Sequence, residues 1–354
     1  MPEARKTVVK FNFWQDRSMA DRFAGEPDID FLTCDVAGPD ALSWAMLERA
    51  DVYHISSTKD ELPRQWWAEA PLLARCPKLL CISATGAGYD TVDVGACTDA
   101  GVLVVNQSGA NAVAVAEHTL GLMIDLNKKI SLSDRLLRRE RGFSREALMG
   151  RELGGRVLGL IGLGHVGHRV ARLAAAFGMT VLAHDPWLDA GEIRARQAEP
   201  ATLDALLATA DIVSVHCPRD RDTLRLMNAQ RFAQMKPGAL FLNTARGGIH
   251  DEAALFDALS SGHLAGAGLD VWDIEPPPLD HPLLMLDQVV ATYHTAGVTV
   301  EARRCMAAFA ADQIVSLLRG ELPPRLINPE AWPIYSQRFA ALMGHSVTAE
   351  VQLA

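Results

Sequence analysis

Short apolar runs alternate with longer amphipathic stretches along almost the whole chain. TVVKFNF (7–13), ADVYHI (50–55) and KLLCISA (78–84) read as strands, rich in β-branched or large apolar residues. From residue 156 the alternation is cleaner. RVLGLIG, TVLAHD, DIVSVHC, ALFLNTA, GAGLDVW and QVVATYH read as strands, and stretches such as HRVARLAAAFG and DEAALFDALSSG between them have helical spacing. Strands that are apolar almost without interruption are covered on both faces, which predicts parallel sheets flanked by helices. AVAVAEHTLGLMIDL (112–126) is apolar on most faces, the pattern of a buried or interfacial helix. The arginine-rich stretch 138–156 reads as a solvated arm or linker, with a subunit or substrate contact as the alternative, and the prolines of ELPPRLINPE (321–330) end a long helix that begins near 299.

Composition narrows the class. A chain of 354 residues is long enough for two domains with cores of their own. Hydrophobic residues at 49% and charged residues at 22% exclude wholesale disorder. A net charge of −9 argues against a nucleic-acid partner, because phosphate contacts require a basic surface. Six scattered cysteines without a CxxC pair form neither a disulfide framework nor a zinc signature, which predicts reduced thiols, a cytoplasmic protein and no metal. The N-terminus has no apolar signal core and no run is long enough to span a bilayer, so no membrane partner is expected.

GLGHVG at 162–167 fits G-x-G-x-x-G and follows an apolar strand and opens a helix. Gly162 would allow the tight turn, Gly164 the close approach of a pyrophosphate, and Gly167 the packing of helix on strand. The amides around His165 and Val166 would then face the phosphates at a helix N-terminus, where the dipole favours anions. Asp185, 18 residues past the last glycine, ends the next strand. Its carboxylate can accept both ribose hydroxyls and repels a 2′-phosphate, which points to NAD rather than NADP.

Three further residues sit at the C-terminal ends of successive expected strands, where open α/β sheets bind ligands. Arg246 follows ALFLNTA, Glu275 follows GAGLDVW and His294 follows QVVATY. Arg can grip a carboxylate bidentately. His can pass a proton to or from a hydroxyl, and a Glu beside it stabilises the imidazolium. The set suits hydride transfer at a 2-hydroxy or 2-oxo acid. His281, in LDHPLL, is a rival acid/base by residue type alone.

GLIGLGHVG, HCPRDRDTLRLMN, MKPGALFLNTARGGIHDEAAL and GAGLDVWDIEP form an ordered series. Through it the chain closely resembles the D-isomer-specific 2-hydroxyacid dehydrogenase family, which includes phosphoglycerate dehydrogenases and glyoxylate/hydroxypyruvate reductases. The resemblance runs from about Lys78 to Ala307. It implies Arg246 as the substrate-orienting cation, His294 as the acid/base and Glu275 as its partner. It places Asp270 near the nicotinamide amide, and makes the ATGAGYD turn (84–90), with Thr85, Gly86 and Ala87, the receptor of the substrate carboxylate. It also implies two doubly wound domains, Rossmann-like and flavodoxin-like. The cofactor domain (109–298) would be inserted in a substrate domain made of 1–108 and 299–331, leaving 332–354 as a tail. A homodimer through 112–126 is implied as well.

The chain departs from the family pattern in two places. The family usually has Pro before its catalytic His and a Gly-rich turn after it; here Tyr293 precedes and Thr295-Ala296-Gly297 follows. Phosphoglycerate dehydrogenases tend to place Arg in the early loops of the first domain, whereas 54–63 and 82–90 offer only Lys59 as a cation. Glu275 stands where formate dehydrogenases have Gln, which argues against formate. Two alternatives to an NAD-dependent 2-hydroxyacid dehydrogenase remain on this scaffold. An NAD-sensing regulatory protein could dispense with the triad, which is present here. A phosphite-type oxyanion dehydrogenase would want a basic residue in the 84–90 turn, which is absent.

Overall fold

The structure is a computed structural model and describes residues 5–348. The first four residues of the N-terminal reading and the last six of the C-terminal stretch lie outside the described residues. The chain divides into two compact units, one running to Asn111 and resuming at Thr299, the other spanning Ala112–Val298.

The first unit is built on β1 (Lys6–Phe11), β2 (Ile29–Cys34), β3 (Val52–Ile55), β4 (Cys81–Ala84) and β5 (Leu103–Val105). They form one parallel sheet in the order β2-β1-β3-β4-β5. Successive side chains of a strand point to opposite faces, so Val8 and Val9 enter different cores. Val8, Val52 and Leu103 pack with the helix Val300–Leu318; Val9, Tyr53, Ile82 and Val104 pack with Trp66 and Leu72. Each fully buried side chain of this size contributes about 1.5–3 kcal/mol.

The stretch from Trp332 on, unassigned by sequence, belongs to this unit. Trp332–Met343 is a helix whose Trp332, Tyr335 and Phe339 are buried in the same core as Val8. The proline-rich segment before it runs along the sheet edge. Leu326 bridges Val105, and Asn328 Oδ1 accepts the Val104 amide at 2.7 Å.

The second unit contains β6 (Val157–Ile161), β7 (Thr180–His184), β8 (Glu199–Pro200), β9 (Ile212–Val215), β10 (Ala239–Asn243), β11 (Leu264–Leu269) and β12 (Val289–Ala291). All pair in parallel in the order β12-β11-β10-β9-β6-β7-β8. The chain leaves β6 in one direction and returns to its other side at β9. Ligands of doubly wound sheets bind at the carboxyl ends of strands at such a reversal. The segment 112–126 lies within the helix Ala112–Lys128, which buries Ala116, Leu120 and Met123 against this sheet. By contrast, the helix Ile130–Arg139 buries no residue. All six cysteines are free. No helix among the described residues is long and apolar enough to cross a membrane.

Candidate active site

The β6–helix turn has the geometry its glycines predict. Gly162 has φ +93°, and a Cβ there would lie 2.6 Å from the Cys217 amide nitrogen, so only glycine fits between β6 and β9. A Cβ on Gly167 would meet the Gly162 carbonyl oxygen at 2.2 Å, which lets the helix His165–Ala176 sit directly on the strand. Gly164 has nothing within 4 Å of its Cβ position. The open backbone at the helix N-terminus, beside His165 and Val166, is therefore the part left for a phosphate. Just past β7, Asp185 accepts the Leu163 amide at 2.8 Å and the Trp187 amide at 3.0 Å. Each oxygen keeps a lone pair for a ribose hydroxyl. Arg196 donates to the Leu163 carbonyl at 2.7 Å and puts a cation on the same loop. The turn and its acid thus fit a dinucleotide.

Beyond β10, β11 and β12 the structure brings Glu275 and His294 into contact: His294 Nδ1 lies 2.8 Å from Glu275 Oε2. The other carboxylate oxygen, Oε1, accepts the Trp272 amide at 3.1 Å. Burial works to raise the Glu275 pKa, but the hydrogen bond and charge of His294, the Trp272 amide and the charge of Arg246 outweigh it and hold it below the ordinary value. The carboxylate is ionised at neutral pH and fixes the ring through Nδ1, leaving Nε2 to exchange a proton with a ligand.

Arg246 leaves β10 through a turn built by buried Asn243. Its Oδ1 accepts the Ala245 amide at 2.9 Å and its Nδ2 donates to the Arg246 carbonyl at 2.9 Å. A Cβ on Gly247 would fall 1.8 Å from the Trp272 carbonyl oxygen, so glycine is what lets the Arg246 turn lie against the segment leading to Glu275. The glycine pair in ARGG was the available signal for that approach; Asn243 carried none.

Asp270, expected near a nicotinamide amide, organises the turn that carries His294. It is fully buried. Oδ1 accepts the Thr292 hydroxyl at 2.6 Å and the Thr295 amide at 2.9 Å, Oδ2 accepts the Ala296 amide at 3.0 Å, and its carbonyl accepts the His294 amide at 2.7 Å. One residue thus clamps the turn on both sides of His294, which sits at φ +46°, a conformation that costs about 1–3 kcal/mol outside glycine. The unusual neighbours Tyr293 and Thr295-Ala296-Gly297 form that clamped turn. The rival His281 is committed elsewhere. Its Nδ1 accepts the Leu283 amide and its Nε2 lies 3.1 Å from Glu252 Oε2.

In the first unit, the turn after β4 is tied into its own fold. The Thr85 amide donates to the Ile55 carbonyl at 2.9 Å and the Gly86 amide to Gln107 Oε1 at 2.8 Å. Ala87 is exposed, and its carbonyl accepts Asn106 Nδ2 at 2.8 Å. Lys59 is exposed, with Nζ 5.9 Å from the centre of the Trp67 ring.

The second unit has the features of a dinucleotide-binding domain, with a His–Glu pair at the carboxyl edge of its sheet. Comparison with known proteins gives the same class. The family model described as the D-isomer specific 2-hydroxyacid dehydrogenase NAD binding domain matches residues 120–296. The D-3-phosphoglycerate dehydrogenase of Archaeoglobus fulgidus is 40% identical over 257 residues, 73% of this chain and 48% of that protein. The chain thus spans about half the length of the curated phosphoglycerate dehydrogenases it matches. The glyoxylate reductase of Thermofilum pendens is 36% identical over 319 residues, 87% of this chain and 93% of that protein. Among solved structures, a glyoxylate reductase from Paecilomyes thermophila superposes with a TM-score of 0.81 at 25% identity, covering 93% of this chain and 99% of that one. The chain belongs to the D-isomer specific 2-hydroxyacid dehydrogenase family.

Proposed function

We propose that the chain is an NAD-dependent oxidoreductase acting on the CH–OH group of a small 2-hydroxy acid, or in reverse on the corresponding 2-oxo acid. The observation that carries this reading is the 2.8 Å contact between His294 Nδ1 and Glu275 Oε2. Bound NADH supplies the hydride that reaches C2. Protonated His294 gives its Nε2 proton to the oxygen on C2, while Glu275 holds the far side of the ring. Arg246 polarises the carbonyl and grips the carboxylate. In the oxidative direction neutral His294 takes the hydroxyl proton at Nε2. Gly162, Gly164, His165, Val166 and Gly167 would hold the pyrophosphate of a bound NAD, Asp185 would accept its ribose hydroxyls, and Asp270 is the acid assigned to the nicotinamide amide. In the first unit, the exposed Ala87 is the residue of the 84–90 turn left to receive a carboxylate, Thr85 and Gly86 holding the turn through amides already donated to Ile55 and Gln107, and Lys59 is the cation there that suits a phosphate.

The substrates proposed are those for which the relatives are named, a 3-phosphoglycerate-type or a glyoxylate/hydroxypyruvate-type acid. Purified protein with NADH should reduce at least one of glyoxylate, hydroxypyruvate, 3-phosphohydroxypyruvate, pyruvate and branched 2-oxo acids with kcat/KM of about 10⁴ M⁻¹s⁻¹ or more. Loss of NADH absorbance reads the result. No turnover with any of them overturns the reading. A homodimer in the cytoplasm completes it, supported by the exposure of Val113, Ile130 and Leu137 on or beside the 112–126 segment.

Asp185→Ala should relax the preference for NADH over NADPH by about tenfold. It removes a like charge from the place of a 2′-phosphate and leaves Arg196 on the loop. The ratio of kcat/KM for the two cofactors measures it, and an unchanged ratio removes Asp185 from the ribose site.

A further inference from the structure

The helix Ala112–Lys128 carries one histidine, His118, to which neither the motifs nor the reaction assign a role. Its Nε2 lies 3.0 Å from Thr292 Oγ1 and 3.8 Å from Asp270 Oδ1. Thr292 has one hydroxyl proton, and the 2.6 Å bond to the acceptor-only Asp270 carboxylate takes it. His118 must therefore be the donor to Thr292, through Nε2–H. The result is a directed chain of hydrogen bonds. His118 donates to Thr292, Thr292 donates to Asp270, and Asp270 accepts the amides of Thr295 and Ala296 on the far side of His294.

The next residue on the helix, Thr119, makes a parallel contact. Its hydroxyl donates to the Val115 carbonyl at 2.8 Å, so the 2.9 Å bond to Thr244 is donated by Thr244, two residues before Arg246. Consecutive side chains of one helix thus brace the two turns that carry the reacting groups.

We propose that His118 is a positioning residue for the acid/base His294, acting through Thr292 and Asp270 without touching substrate. The inference rests on the reading of His294 as the acid/base. Loss of the Nε2–H donor frees Thr292 to rotate and removes the ring that lies 3.8 Å from the buried Asp270 carboxylate. The clamp that holds His294 at positive φ then loosens, and its ring no longer meets the C2 oxygen in one orientation. A misplaced proton donor lowers kcat while leaving substrate capture by Arg246 in place.

The test uses the full chain with His118→Leu, His118→Gln, Thr292→Val and the His118→Leu/Thr292→Val double variant. Kinetics are measured with NADH and the best 2-oxo acid, and the histidine ring resonances of the cofactor-free protein are recorded by NMR. His118→Leu should lower kcat about tenfold with KM changed by about twofold or less. His118→Gln, whose amide can donate to Thr292, should recover to within about threefold of the parent. Thr292→Val should match the Leu variant, and the double variant should be no worse than either single one, because both break one chain of bonds. The His294 ring signals should move in His118→Leu and Thr292→Val and return in His118→Gln.

Full kcat with unmoved His294 signals in His118→Leu overturns the proposal, as does a double variant whose losses multiply. If His118→Leu does not fold, His118→Phe, which keeps a ring and lacks the donor, decides by the same two readouts. A parent protein that reduces none of the acids defeats the proposed function, whereas the NMR comparison still decides whether His118 sets the His294 turn.

Discussion

His294→Ala is expected to lower kcat for 2-oxo acid reduction by about 10²–10⁴-fold, the usual contribution of a positioned general acid, with the Kd for NADH changed by about twofold or less. The expectation follows from how the ring is held. Glu275 takes Nδ1 at 2.8 Å, Asp270 grips the turn through the His294 amide and both following amides, and His281 is occupied by Glu252 and Leu283. Glu275→Gln should be milder and should show itself in the pH profile. An amide cannot balance the imidazolium, so reduction should lose its reach toward high pH. Stopped-flow or steady-state rates, with fluorescence titration of NADH, separate the two effects. An unimpaired His294→Ala variant would remove this residue from the chemistry, and an unchanged Glu275→Gln profile would remove its partner.

Much of this site was legible because its chemistry is carried by residues at strand ends. A strand that is apolar over five or six positions announces itself, and the first charged residue after it marks the carboxyl edge of a parallel sheet. Arg246 and His294 could be read in that way, whereas Glu275 lies beyond Asp270 and Asp273. The fingerprint was legible because glycine is required where a Cβ would strike backbone, as at Gly162 and Gly167. Asn243, Thr292 and His118 were not legible. They act through hydrogen bonds to residues distant in sequence or to the backbone of a turn, and no periodicity marks them. The elements that escaped notice have equally plain causes. β2 lies at a sheet edge with most of its residues only partly covered, β5 has three residues, and β8 has two, one of them Pro200. The helix Trp332–Met343 lies beyond the last motif, and its burial against β1 and β4 becomes visible only when distant parts of the chain meet.

Stability is expected to fall steeply as the pH drops from 6.5 toward 4.5, driven by buried histidines rather than by the active site. His54 and His250 are fully buried. Burial, joined by the positive charge of Lys10, lowers His54 to about 3. Burial is the leading cause that lowers His250 to about 4. The hydrogen bonds around His250 explain its reluctance to take a second proton. Asn243 Oδ1 accepts the Ala245 amide, which fixes the orientation of that side chain, so its Nδ2 donates to His250 Nδ1 at 3.0 Å. The existing proton is therefore on Nε2, which is buried without a partner, and a proton on Nδ1 would face another donor. Both rings stay neutral in the folded protein, while the unfolded chain binds protons below an ordinary value of about 6.5. Stability then rises with pH through this interval, is fully present above about pH 6.5, and is lost as the pH falls toward the folded values. Each ring contributes a slope of about 1.4 kcal/mol per pH unit, so the pair amounts to about 5 kcal/mol at pH 4.5. That is comparable to the whole stability of many domains. Carboxylates with depressed values, such as Glu26 and Asp28, act in a lower window, below about pH 4.5. Urea midpoints measured from pH 7.5 to 4.5 should show at least this slope, and His250→Phe should remove the share of one ring while leaving the midpoint at pH 7.5 much less affected. A parent midpoint that stays flat across the interval would show that these rings are not held neutral by the fold.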